Sequence, residues 1–143
     1  MTLFISEKNK KTSLKELILY IGITAFIGLF SGIYEIFSHE VYSNAMIFAF
    51  LYPLLMGVSL YLVLYLVPFK NVLGTITSCI YNLGVALFTT RSIFIGVLEI
   101  YGKTNEKMLI IYTVLAFVTY ISGVILVVFS LIKGNKDNKV SNS

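Results

Sequence analysis

The chain has almost nothing with which to do metal or redox chemistry. Its 143 residues include one cysteine, Cys79, inside an apolar run. One thiol allows no internal disulfide and no CxxC metal knuckle. His39 is the sole histidine. One imidazole excludes bis-histidine haem within a subunit, and with only Glu40 beside it falls short of the four ligands of a structural zinc site. His39 therefore reads as an interfacial loop residue, with a protonation sensor as the alternative. No GxGxxG, Walker loop, HExxH or nucleophile elbow occurs. No nucleophile, base and orienting group converge in sequence, so the expectation is a protein that is not an enzyme, with no cofactor and no metal.

Charge is scarce as well. Only 13% of the residues are charged, about half the share usual in soluble domains. By contrast 57% are hydrophobic and the mean hydropathy is +0.88. Lipid rather than water is the main solvent that such a chain suits. Four apolar stretches supply this character: Leu14 to Phe37, about Ala45 to Val67, a third between Val72 and Tyr101, and about Lys107 to Ile132. Each approaches the roughly 20 residues that a helix needs to cross a hydrocarbon core of about 30 Å. A spanning segment must satisfy its own backbone hydrogen bonds, so helices are expected, and the short alternating strands of a barrel are missing. Ser13 followed by Glu16 fits a capping box at the start of the first helix. Pro53 interrupts the second and predicts a kink there. The expected fold is all-α: a membrane domain over 14–132 with hairpins 14–67 and 78–132, a cytoplasmic segment 1–13 and a polar, disordered tail 133–143.

The net charge of +4 is distributed by topology. Lys8, Lys10, Lys11 and Lys15 precede the first span, Lys70 separates the second from the third, and Lys133, Lys136 and Lys139 follow the fourth. The other side has only Lys103 and Lys107, with Glu40 and Glu106 nearby. By the positive-inside rule both termini are cytoplasmic, in a multi-pass protein of the plasma membrane. The lysines form no stripe suited to base contacts, so nucleic acid is not an expected partner. The first apolar region is too long for a signal peptide and lacks a small-residue cleavage pattern.

The second half repeats the first. Gly32-Ile33-Tyr34-Glu35-Ile36-Phe37 recurs 64 residues later as Gly96-Val97-Leu98-Glu99-Ile100-Tyr101. Two hairpins crossing in the same sense predict a four-transmembrane-helix bundle with a pseudo-two-fold axis along the membrane normal. Ala25, Gly28, Gly32 and Glu35 share one helical stripe, and Thr89, Ser92, Gly96 and Glu99 occupy the matching positions. Ala25, Gly28, Gly32 and Gly96 read as helix-packing positions, and Gly28 to Gly32 is a GxxxG. If the stripes meet near the axis, Glu35 and Glu99 form an acidic outer mouth where a cation or proton could be held. Alternatively each reaches interfacial water or caps a neighbouring helix start.

Arg91 is the costliest residue, about 2.5–3.5 kcal/mol at mid-membrane on insertion scales. Glu99 is eight residues away, about 12 Å along a helix, too far for a direct pair. Either a polar cavity lined by Thr89, Thr90 and Ser92 leads outward from Arg91, or the third span crosses as Val72 to Thr90 and Arg91 is interfacial. Asn82, about 180° around the helix from Arg91, is expected to bond across to another helix. The candidate ion or solute site is thus Glu35, Glu99, Arg91, Thr89 and Ser92, with Asn82 a separate intramembrane polar residue. Two functions follow: an oligomeric transporter or channel-like protein for a small solute or ion, or an accessory subunit or scaffold bound to a membrane-protein partner.

Overall fold

The computed structural model describes residues 2–37, 42–66, 73–102 and 106–140, and these are helical with no strand among them. Three helices are long. α1 spans Thr2–Phe37, α4 spans Thr75–Ile100 and α5 spans Glu106–Val140. Within them Lys10–Phe37, Thr75–Ile100 and Glu106–Lys133 are long and apolar enough to cross a membrane. At 1.5 Å per residue each of these stretches is about 39–42 Å long, more than the hydrocarbon core requires. Their outer faces are apolar: Phe26, Leu29 and Ile36 on α1, and Ile110, Ile125 and Phe129 on α5, are each more than 60% exposed. A surface of this kind is a cost in water and none in acyl chains. The protein is a membrane protein.

The second apolar stretch is a broken element instead of one continuous helix. It comprises α2 (Asn44–Ile47), a turn, a π-helix over Pro53–Val58, and α3 (Ser59–Leu66). The cause lies at Pro53, whose ring occupies the place of an amide donor and collides with the preceding turn. The helix widens there instead of stopping, and resumes α geometry at Ser59.

Two helix ends differ from the sequence expectation. α1 begins at Thr2, so Ser13 is an interior, buried residue and the Ser13–Glu16 capping box does not form. The stretch 2–13 holds neither Gly nor Pro, and extending an existing helix costs little once it is nucleated. α5 likewise runs through the expected disordered tail as far as Val140, propagating past Gly134 from a helix already nucleated.

The close contacts follow antiparallel neighbours. α4 and α5 form a tight hairpin in which each lends the other a glycine. A Cβ on Gly84 would lie 2.7 Å from the Tyr120 Cα, and one on Gly123 would lie 2.7 Å from the Tyr81 Cα. Small residues at these two levels let the backbones touch. The hairpin turns at Gly102, whose φ of +66° suits a residue without Cβ. There the Tyr101 and Gly102 amides donate to the Val97 and Glu99 carbonyls. α1 packs on the π-helix and α3, with the Tyr20 ring on Gly57 and stacked on Tyr61 at 5.5 Å. α2 and the π-helix pack on α4 and join the two pairs. Aromatic contacts fill this joint: Tyr52 stacks on Phe88, which meets Phe117 and Tyr120 edge-on.

Candidate functional site

The polar side chains of the apolar helices fall into three groups. With α4 centred in the hydrocarbon core, Asn82 and Arg91 lie roughly 7 and 10 Å below opposite boundaries. Their nine-residue spacing points them to opposite sides. Asn82 faces α1 and α3, where the Tyr20 and Tyr61 hydroxyls both donate to its Oδ1 at 2.9 Å. Tyr81, one residue earlier, donates to the Met56 carbonyl in the π-helix at 2.8 Å. The broken helix is therefore tied to α4 by hydrogen bonds that water cannot replace at this depth.

Beside this network, between α1 and α4 and against Pro53, is a cavity of about 380 Å³. Its walls are mainly apolar, including Leu19, Ile23, Ile27 and Val85; Asn82, Thr89 and Thr90 supply polar atoms. A mostly apolar pocket of this size with a few convergent polar groups suits a small ligand. Thr89 reaches back to the Val85 carbonyl at 2.9 Å. Of the expected site residues, it alone lines this cavity.

Arg91 turns to α5. Its Nε donates to Thr113 Oγ1 at 2.6 Å, and Thr113 in turn donates to the Leu109 carbonyl at 2.6 Å. Thr113 was not singled out from sequence. Its signal is its depth: an antiparallel hairpin about a short loop brings it level with Arg91. α4 continues past Arg91 to Ile100 without a break.

The third group ties α2 to the C-terminal half of α4. Ser43 starts α2, accepts the Met46 amide at 3.4 Å and donates to Glu99 Oε2 at 2.5 Å. Ser92 donates to the Ala45 carbonyl at 2.5 Å. Met46 is fully buried against Gly96, where a Cβ would come within 2.5 Å of the Met46 Cβ. Ser92, Gly96 and Glu99 are thus used together to seat α2 on α4. The first stripe is placed differently. Ala25 and Gly32 are exposed, a Cβ on Gly32 would meet nothing within 4 Å, and one on Gly28 would just reach the Phe50 Cβ at 4.0 Å. Glu35 is half-buried near the end of α1. Tyr34 and Phe37 of α1 share a second cavity, about 340 Å³, with Ile100 of α4 and Tyr101 just after it, so the two repeated hexapeptides end side by side. His39 and Glu40 lie outside the described residues. Among the described residues no group of three His, Cys, Asp or Glu could hold a metal ion.

The contacts of Glu99 make a stability test. Ser43→Ala removes a helix cap and should cost about 1 kcal/mol. Glu99→Gln keeps an acceptor oxygen and should cost less than half of that, whereas Glu99→Leu should match Ser43→Ala. Thermal unfolding in nanodiscs measures all three. A Glu99→Gln loss well above the Ser43→Ala loss would mean that Glu99 does more than hold the cap.

The chain matches no protein-family model, no curated protein and no solved structure.

Proposed function

We propose that this is a four-span protein of the plasma membrane, with both termini cytoplasmic, that binds a small solute in the α1–α4 cavity as one step in moving it between bilayer and water. The observation that carries this reading is the cavity itself: a pocket at membrane depth, walled by apolar side chains and a few polar ones, against a helix that breaks at Pro53. Broken and π-helical segments recur at functional sites because they combine irregular backbone with a fixed frame. The proposed site keeps Thr89 from the sequence expectation and moves the centre from the glutamates to Asn82.

The proposed build is two tandem hairpins. Contact register supports it. Tyr20 packs on Gly57 in the first hairpin; adding the 64-residue offset gives Gly84 and Ile121, one residue from the Gly84–Tyr120 contact of the second. The same shift carries the Gly28–Phe50 approach to Ser92 and Val114, each one residue past the Arg91–Thr113 pair. A helix partner along α1, from a second copy or another membrane protein, completes the proposal. Gly22 and Gly32 offer it open backbone. An accessory subunit would use the same edge, and it is the second reading.

Water access separates the two readings. In a Cys79→Ser background, Thr89→Cys, buried in the cavity wall, is expected to react with a membrane-impermeant maleimide from one side of sealed vesicles, while Phe129→Cys on the lipid face of α5 stays unlabelled. Thr89→Cys inert from both sides would remove the transport reading and favour the accessory one.

A further inference from the structure

The cavity wall also constrains what the solute is. Both phenol hydroxyls that reach Asn82 do so at Oδ1. An amide oxygen has two lone pairs, so this atom is saturated. The Asn82 amide nitrogen carries two more donors, and among the described residues none of the hydrogen bonds of Asn82 uses them. Asn82 lines the cavity. A primary amide N–H₂ is thus presented to a largely apolar space, where an unmatched donor is costly and a matched one is worth more than in water. Among the described residues no ionised side chain lines the cavity, so none of them would balance a charged guest.

The way in is lateral. Leu19 and Ile23 on the α1 wall are exposed, as are Ala86 and Thr90 on the α4 wall. The long helices cross the bilayer with these edges outward, so the opening between them faces acyl chains. Resting on the proposed role of this cavity, we infer that its ligand is a lipid-soluble, uncharged molecule with a carbonyl or ether oxygen, taken from the bilayer between α1 and α4 and held through that oxygen by the Asn82 amide.

Matched photoprobes test this in nanodiscs: a ten-carbon methyl ketone bearing a diazirine, and the hydrocarbon of the same length bearing the same diazirine. Mass spectrometry maps the labelled residues. The ketone is expected to label Ile23, Ile27 and Val85 several-fold more than the hydrocarbon does, with equal labelling of Ile125 on the lipid face of α5. Asn82→Leu should bring the cavity ratio to about one. Because that variant strands two hydroxyls and could misfold, the triple variant Tyr20→Phe/Tyr61→Phe/Asn82→Leu, which removes donor and stranded groups together, is measured beside it and should give the same ratio. Equal labelling by both probes in the wild-type cavity would overturn the carbonyl-or-ether assignment and leave the cavity as a binding site. Labelling on α5 with none in the cavity would overturn the cavity reading itself; a copy-to-copy crosslink through α1 in that case would show that a second chain fills the space.

Discussion

Gly84→Leu is expected to leave no monodisperse folded protein, and Gly84→Ala to cost about 1–3 kcal/mol, the range for overpacking a close contact. The reason is the identity of the neighbour. A methyl group at Gly84 meets the Cα and amide nitrogen of Tyr120, at 2.7 and 2.9 Å, rather than the end of a side chain that can swing away. Only separation of the α4 and α5 backbones relieves the clash, and that also loosens the Gly123–Tyr81 contact and the edge-on rings of Phe88 and Tyr120. Gly123→Ala should behave alike, because it meets the Tyr81 Cα and amide. Gly22→Ala and Gly32→Ala are the controls. Neither new Cβ meets any atom within 4 Å, so both should leave the melting temperature unchanged or raise it through better helix propensity. Thermal unfolding with size-exclusion chromatography reads the comparison. Gly84→Ala as well tolerated as Gly32→Ala would mean that α4 and α5 do not meet at this level. Loss of oligomer in Gly32→Leu, with the monomer intact, would place the partner helix on α1.

Asn82→Leu should destabilise the protein by about 1–3 kcal/mol, the cost of stranding buried polar groups. The triple variant Tyr20→Phe/Tyr61→Phe/Asn82→Leu should regain most of that loss. The single change removes the shared acceptor of two phenol hydroxyls at a depth where water is scarce. The triple change removes the stranded hydroxyls too, and the Tyr20–Tyr61 ring stack can persist between phenylalanines. Equilibrium unfolding in mixed micelles of constant composition gives the three stabilities. Equal losses in single and triple variants would show that Asn82 acts through its shape and not through its hydrogen bonds.

Much of the architecture was legible in the chain. The long apolar runs became α1, α4 and α5, because length and hydropathy of a single window decide what a helix does in lipid. Pro53 marked the break in the second run, though not its form: a π-helix that keeps going needs tertiary support, here Tyr81 on the Met56 carbonyl and Tyr20 on Gly57. Helix ends were less legible. Ser13 with Glu16 satisfies a capping pattern, yet the preceding residues propagate helix equally well, and the pattern has no term for that competition.

The site was less legible than the fold. Glu99, Ser92 and Gly96 were singled out together and do act together, but as the seat for α2, through Ser43, Ala45 and Met46. Nothing in sequence separates a glycine stripe that packs from one that is open, so Gly96 and Gly32 look alike there. Gly84 and Gly123, where among the described residues a Cβ would come closest to a neighbouring backbone, belong to no repeat or GxxxG and carry no such signal.

The amino-acid order alone determined the solvent, the helical state and the three segments long and apolar enough to cross, since satisfying backbone hydrogen bonds in hydrocarbon is a local matter for each stretch of about 20 residues. Tertiary structure alone decided that Asn82 meets two tyrosines, that Arg91 meets Thr113, and that a cavity opens between α1 and α4. Those outcomes depend on how each helix is rotated about its own axis and how deep it sits. Contacts between residues dozens of positions apart set both, and no single window of the chain contains them.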